Sequence, residues 1–455
     1  MTSLALSMIT KNAASLLPAC LASVSGIVDQ IVLADTGSTD DTIAVASKLG
    51  AQAISIPWND DFAAAHNLAL AAITTDWVLV LDADEQLDSR AIDQIPLLLA
   101  ASKIDAYQVT IRNYVASLEE RIWDRPAKPN DSILARSNPY PAYVEHANVR
   151  LFRRHPDIYF VGRVHESVGP RILDTGRKLS DATFCIHHFG LVADAETRAA
   201  KNRFYRQLGR LKTQEMPDNA QAHFELGLVE LDNFQNFPEA LSLFDRACQL
   251  NPRLAVAWFF RAVALIRLDC FAEALNSLAE AERHGHRTAL TAEITADAHY
   301  NLKHYDRAST HYSRALRLDP GNPHLKSKLG LATIRTGKQE RGLHLIRSAL
   351  ATKPASPDLH DRLILSLVFL NRLPEAANAT EAKLSAISAP KPADFLRAAS
   401  LRAKHGDFSA AIRVLQSGLL RHPDEKILIQ ALSEATAAPH PQGFATIVQS
   451  VPSGG

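Results

Sequence analysis

The chain has 455 residues, more than one ordinary core at roughly 100–200 residues per domain, so two or more domains are expected. An apolar fraction of 47 % with 22 % charged residues excludes a disordered chain. Lys+Arg and Asp+Glu both number 49, which argues against a protein that grips nucleic acid by global charge. That zero is a cancellation: residues 1–200 hold 17 basic and 24 acidic residues, net −7, and the rest hold 32 and 25, net +7.

The N-terminus MTSLALSMIT lacks a basic leader and runs into Lys11, so Ser3–Ile9 reads as a first strand and not a signal peptide. A helix is expected over Ala14–Val24, then a strand at Gln30–Asp35 ending in the turn cluster TGSTD. Asp40–Leu49 reads as a helix stopped by Gly50, and Ala51–Ile56 as a third strand. Phe62–Ile73 is a predicted helix with Phe62, Ala65, Leu68 and Ala69 on one face, and Trp77–Leu81 a fourth strand. Such alternation implies parallel βαβ units. The stretch Arg112–Tyr143, with Pro126, Pro129, Pro139 and Pro141, reads as an irregular substrate-covering loop. Val149–Phe152, Tyr159–Val164 and Cys185–Phe189 are further predicted strands.

In an open parallel sheet, ligands bind at the carboxyl ends of the strands. Asp35 and Asp82 stand at two such ends, and Thr10–Asn12 and Asn59–Asp61 at two others, so four polar loops converge. Asp82-Ala83-Asp84 is the sharpest chemical signal. In an extended segment residues i and i+2 share a side, so both carboxylates can face one hard cation, Mg²⁺ or Mn²⁺. Such an ion stabilises a departing diphosphate. Asp35 can also be no more than the head of an Asx turn, with Ser38, Thr39 or Asp40 capping the next helix. There is no GxGxxG after the first strand and no GxxxxGK[ST]. Glu166 is suited to act as a general base if it faces the crevice. The four cysteines, Cys20, Cys185, Cys248 and Cys270, have neither zinc-ligand nor disulfide spacing and read as buried thiols. No run approaches the roughly 18 apolar residues of a membrane span, and a cytoplasmic location is expected.

The blocks MITKN (8–12), IVDQIVLADTGSTDDT (27–42), PWNDDFAAAHNLAL (57–70), DWVLVLDADE (76–85), RLFRR (150–154), GRVHE (162–166) and HHFG (187–190) resemble the family 2 glycosyltransferases of the GT-A fold, in the bacterial branch that carries tetratricopeptide repeats. The resemblance implies a Rossmann-like, mostly parallel α/β domain, a nucleotide-sugar donor, usually a UDP-sugar, Mn²⁺ or Mg²⁺, and inversion at the anomeric carbon. It implies that Asp35 contacts uracil or ribose, and that Asp82, Ala83 and Asp84 serve ribose, metal and diphosphate, Asp84 having a catalytic part. Thr10, Lys11, Asn12, Asp61, His66 and Asn67 would line the nucleotide pocket. Glu166 falls where the family places its base, and His187 or His188 would add a metal ligand. Ala13 and His66 stand where family members often have Glu and Arg, which bears on donor preference.

The second half repeats at a period of 34. Small residues recur at the eighth position (Gly227, Ala262, Ala296, Gly330, Ala399), the twentieth (Ala240, Ala274, Ala308, Gly342, Ala376, Ala411) and the twenty-seventh (Ala247, Ala281, Ala315, Ala349, Gly418). This resembles the tetratricopeptide repeat, two helices per unit, stacked as a superhelix that binds protein or peptide. Six units are expected, the fifth weakest because Ile364 and Lys383 occupy small-residue positions. The expected organisation is a GT-A domain over 1–195, a basic linker helix over 196–215, repeats over 216–435 and a flexible tail over 436–455. The leading reading is an inverting, metal-dependent glycosyltransferase acting on a protein, peptide or glycan acceptor, with a protein partner at the repeats and no nucleic acid. Its rivals are a repeat scaffold with a degenerate transferase domain and a sugar-phosphate nucleotidyltransferase. The latter wants a Gly-rich basic loop where the chain has only TKNAA.

Overall fold

A computed structural model describes residues 2–101, 103–122, 125–190 and 195–437. Four apolar runs, Leu4–Thr10 (β1), Gln30–Asp35 (β2), Gln52–Ser55 (β3) and Trp77–Val80 (β4), form parallel strands in the order β3-β2-β1-β4. Helices Leu17–Ser23 (α1), Thr42–Lys48 (α2) and Phe62–Ala71 (α3) connect them. β4 is buried at every residue and β1 at all but one, so they read as apolar runs broken only by Ser7 and Thr10 of β1. Alternate residues feed two cores. Leu4, Leu6, Met8, Trp77 and Leu79 enter one, and Ala5, Val32, Val78 and Val80 the other.

The sheet then becomes mixed. Glu85–Leu87 (β5), helix Ala91–Leu99 (α4), Ala106–Val115 (β6), Arg121–Ile122 (β7), Arg125–Pro126 (β8), Lys128–Pro129 (β9), Ala142–Arg153 (β10), helix Gly169–Asp174 (α5) and Leu179–His188 (β11) follow. Beyond β4 the order is β10-β6-β11-β5. β10 is antiparallel to β4 and β6, β11 parallel to β6, and β5 antiparallel to β11.

Several expectations are corrected. Arg112 and Tyr143 lie inside strands β6 and β10, so the irregular stretch is confined between them. The polar residues that disguise β6 are partnered: Arg112 pairs with Asp131 and Glu145, and Asn113 with His188. Tyr159–Val164 is not a strand but holds a single bridge, Val161 to Ser167. The Asn67 amide occupies both backbone groups of Phe160, and Gly162 (φ +96°) and His165 (φ +51°) break the extension. Leu68 is exposed; His66 and Ala63 take the buried side of α3 with Ala65 and Ala69. Asp82-Ala83-Asp84 is a turn, closed by the Glu85 N–H to Asp82 C=O at 3.0 Å, and not an extended segment.

Helices Ala195–Glu215 (α6), Ala220–Leu228 (α7), continuing as a π-turn over Val229–Asn233, and Phe237–Leu250 (α8) follow. The chain divides into two compact units between Pro252 and Arg253, which leaves α7 and α8 in the first. The second unit holds the pairs Ala255–Arg267 (α9) and Phe271–Arg283 (α10), Ala289–Asn301 (α11) and Tyr305–Leu318 (α12), Pro323–Arg335 (α13) and Gln339–Thr352 (α14), Pro357–Phe369 (α15) and Leu373–Ala386 (α16), and Pro392–Lys404 (α17) and Phe408–Arg421 (α18), then Lys426–Ala437 (α19). The expected tail lies, from residue 438, outside the described residues.

The small-residue register has a direct packing cause. A Cβ on Gly330 would stand 2.7 Å from the Gly342 carbonyl, and one on Gly342 2.5 Å from the Gly330 carbonyl, so α13 and α14 touch backbone to backbone. The α15–α16 pair departs from this. Lys383 is 4 % exposed at a small-residue position. Its ammonium donates to Asp361 at 2.8 and 2.9 Å and to Asp394 at 2.7 Å.

Lys383→Met leaves Asp394 without its cation and Asp361 with Arg397 alone, and should cost about 3 kcal/mol, measured by denaturant unfolding. A pH effect is also expected in this unit. Burial, with His311 nearby, pushes His299 down from 6.5 to about 4. The folded unit therefore favours neutral His299. That stabilisation is present above the ordinary histidine range and is lost as pH falls towards 4. Melting curves recorded from pH 7 to 4 should fall less steeply in His299→Gln.

Candidate active site

The carboxyl ends of β1 to β4 share one edge because these strands are parallel, with Thr10 in register with Asp35 and Asp35 with Ser55. The loops after β1 and β2 interlock. Asp35 is 2 % exposed, and its Oδ2 accepts the N–H groups of Gly37 (3.0 Å) and Ser38 (2.9 Å). Its Oδ1 accepts the Ser38 hydroxyl. Asn12, in the left-handed region at φ +53°, accepts the Thr39 N–H at 2.8 Å and donates its own N–H to Ser38 Oγ at 2.8 Å. Asp35 thus organises its own Asx turn at the rim. Thr10 is buried and Lys11 is exposed beside it.

Centrally, the Asp82–Glu85 turn meets Arg150. Arg150 is the extra residue of a β-bulge in β10, between Val149 and Leu151, and a bulge re-aims a side chain. Its Nη2 lies 3.0 Å from Glu85 Oε1 and 3.3 Å from Asp82 Oδ2. Glu85 is 1 % exposed and also accepts the Asp82 N–H at 2.9 Å. Burial pushes Glu85 up to about 7 against the pull of Arg150. At Asp82 burial acts the same way, but Arg150, His66 and His188 prevail and hold it below the ordinary carboxylate range.

Asp84 turns to β11. Its Oδ2 lies 3.4 Å from His188 Nε2. His188 Nδ1 donates to Asn113 Oδ1 at 2.8 Å, which fixes the tautomer and aims Nε2 at Asp84. Burial opposes a charge on His188, yet the Asp84 bond outweighs it and raises the imidazole above its usual range. Gly190 keeps the space beside this pair open: a Cβ there would stand 2.0 Å from Asp84 Oδ2 and 2.7 Å from His188 Nε2. A carboxylate oxygen and an imidazole nitrogen facing one cradle form a donor set that fits a divalent ion. Neighbouring ligands at about 2.1 Å from an octahedral ion lie roughly 3 Å apart. His187 projects from the opposite face of β11, and the structure does not bring it to Asp84.

Glu166 lies across the crevice, its Oε1 3.4 Å from Nε2 of buried His66. His66 stacks on Phe160 at 4.4 Å, and its Nδ1 is buried without a partner. Asp61 caps α3 by accepting the Ala64 N–H at 2.8 Å, and the Asn67 amide is consumed by Phe160. The PWNDD and GRVHE loops are tied together: Arg163 Nη1 donates to the carbonyls of Asn59 and Asp60, both at 3.3 Å. Lys212 of α6 donates to the Val164 carbonyl and to Glu225, both at 2.7 Å. Beside Glu166 lies a cavity of about 410 Å³ whose walls include His146, Asn148, Lys212 and Gln221.

Asp82, Asp84, His188, His66 and Glu166 therefore share one electrostatic cluster, while Asp35, Asn12 and Asp61 spend side-chain oxygens on backbone N–H groups of the rim. Sequence reasoning missed Arg150, Glu85, Asn113, Gly190 and Lys212. The RLFRR, LDADE and HHFG blocks contained three of them without indicating a role.

A sequence profile described as glycosyl transferase family 2 matches residues 6–159, and tetratricopeptide profiles match 191–255 and 294–322. A "TPR repeat-containing protein" of Synechococcus elongatus is 38% identical over 173 residues, 38% of this chain and 37% of that protein. An "uncharacterized glycosyltransferase" of Rickettsia felis is 38% identical over 99 residues, 22% of this chain and 35% of that one. The chain thus matches little more than a third of the length of these curated relatives. A solved structure from work on Pseudomonas aeruginosa pilF has a TM-score of 0.36 and 18% identity, covering 48% of this chain and 96% of that one. No helix of the described residues is long and apolar enough to cross a membrane. Residues 6–159 form a family 2 glycosyl transferase domain, and tetratricopeptide repeats lie further along the chain.

Proposed function

We propose that the N-terminal domain transfers a sugar from a nucleotide-sugar donor, a UDP-sugar by the family resemblance, to an acceptor hydroxyl or amide with inversion. The observation that carries the reading is the convergence of Asp84 and His188 on the space that Gly190 leaves open, at the carboxyl end of a parallel sheet. Asp84 and His188, with Asp82 beside them, would hold Mn²⁺ or Mg²⁺. When bound, that ion supplies positive charge to the diphosphate leaving group. Arg150 offsets part of the negative charge of Asp82 and Glu85, which lessens their repulsion of an anionic donor. Asn113 orients His188. Glu166 takes the acceptor proton as the nucleophile attacks the anomeric carbon, and His66 positions its carboxylate. Asp35 shapes the nucleotide rim through its turn.

The cavity beside Glu166 supports an acceptor bound next to the first helix pair, since Lys212 and Gln221 wall it. A protein or peptide acceptor suits a repeat array, and the repeats over 216–435 would recruit it. The scaffold alternative finds no support in this cluster, where the carboxylate, the imidazole and the candidate base are all present.

Asp84→Ala should abolish both sugar transfer and metal-stimulated donor hydrolysis; activity retained in both assays contradicts the metal role. Glu166→Gln should lower kcat by about 10²–10⁴-fold with donor affinity little changed. Gly190→Ala should raise the Mn²⁺ concentration needed for half-maximal donor binding, because its methyl group fills the cradle. Calorimetric titration with Mn²⁺ and donor reads that shift.

A further inference from the structure

A second cluster, on the far face of β11 from His188, has the ligand types of a metal site. Strand alternation sends Cys185 and His187 out together, opposite His188. Asp88, directly after β5, is fixed beside them by its N–H to the Cys185 carbonyl at 3.1 Å. Cys185 Sγ lies 3.4 Å from Asp88 Oδ2 and 3.9 Å from His187 Nε2, and the three ligand atoms all lie within 4.8 Å of one another. A tetrahedral zinc ion, with Zn–S near 2.3 Å and Zn–N or Zn–O near 2.0–2.2 Å, separates sulfur from nitrogen or oxygen by about 3.5 Å. The two separations from sulfur need only a few tenths of an ångström of adjustment, while the oxygen and nitrogen, within 4.8 Å of each other, close towards about 3.4 Å.

The surroundings are built in the same sense. His187 Nδ1 is engaged by Tyr114 Oη at 2.7 Å, which leaves Nε2 directed at the sulfur. A ligating histidine is ordinarily oriented this way through its second nitrogen. Asp88 is held by the backbone N–H of Arg90 at 2.6 Å and by its Nε at 2.7 Å. Both Cys185 and His187 are 4 % exposed. A cavity of about 470 Å³ opens onto Asp88 and His187 and offers an entry path and room for a fourth ligand.

The same trio has the residue types of a cysteine nucleophile, but its geometry speaks against one. The thiol points its proton at Asp88, and its 3.9 Å separation from His187 is too long for direct proton transfer.

We propose that Asp88, Cys185 and His187 bind one Zn²⁺, with water as the fourth ligand. Binding forms a Zn–S bond and releases the Cys185 proton to solvent, with no change in oxidation state. One thiolate and one carboxylate face the dication, and the Arg90 guanidinium, which pairs with the same Asp88 oxygen and lies 3.9 Å from Cys185 Sγ, must swing aside for the ion to enter. The ion staples the three-residue edge strand β5, which carries the Asp82–Glu85 turn at its start, to β11. This site rests on its own geometry and not on the sugar-transfer reading.

The test is a Co²⁺ titration of the chelator-treated full chain. One equivalent should bind with an intense thiolate-to-cobalt charge-transfer band, and Zn²⁺ should displace it. The band should persist in Asp84→Ala, vanish in Cys185→Ser and His187→Gln, and Tyr114→Phe should weaken Zn²⁺ binding by about 10–100-fold. Absence of the band in the wild-type chain overturns the proposal without reference to any variant. A band that survives Cys185→Ser, or is lost from folded Asp84→Ala, overturns it equally.

Discussion

The crevice depends on one buried cation. Asp82, Asp84 and Glu85 place three carboxylates within four residues at the end of a buried strand. Glu85 is buried and Asp82 and Asp84 are partly so, and burying such charge without a counter-ion is far more costly than any hydrogen bond there can offset. Arg150 supplies the counter-ion, and the β-bulge that carries it aims its guanidinium at Asp82 and Glu85. Burial works against its charge, yet Glu85 and Asp82 hold it protonated. With those two carboxylates satisfied from beneath, Asp84 turns the other way, to His188 and the Gly190 cradle.

A second constraint comes from α6. Lys212 reaches the Val164 carbonyl, and Arg163 binds Glu215, so the helix that leads into the repeats also fixes the loop that carries Glu166. The same helix binds the fully buried Glu230 through Arg206 at 2.7 and 2.8 Å. A residue strained at φ +51°, His165, stands immediately before Glu166, and such strain persists only where neighbours over-determine it. Position of the candidate base and packing of the first helix pair are thus linked within one compact unit.

The parallel half of the sheet was legible because β1, β4 and the end of β2 are buried on both faces and read as mostly apolar runs, with β3 a short strand at the exposed edge. The later strands were not, because β6 and β10 carry Arg112, Asn113, Glu145 and His146 inside the sheet, paired to one another or to β11. No local pattern reports a partner many residues away. The DAD turn shows the limit of period arguments: the aspartates diverge to Arg150 and His188 because the strand has already ended. The His187-His188 pair shows the reverse, since strand alternation alone sends the two rings to opposite faces. In the repeats, the period of 34 exposed the small residues at helix contacts. Lys383 looked like a flaw in that register until its two carboxylates, contributed by α15 and α17, were in view.

The central claim is that the crevice binds a nucleotide-sugar with the help of a divalent ion at Asp84 and His188. The most direct measurement is the melting temperature of the full chain against a panel of nucleoside diphosphate sugars, with and without Mn²⁺. The account predicts stabilisation by one donor class, dependent on Mn²⁺, since a ligand that binds only the folded state raises its stability. No stabilisation by any donor, with or without the ion, would contradict it.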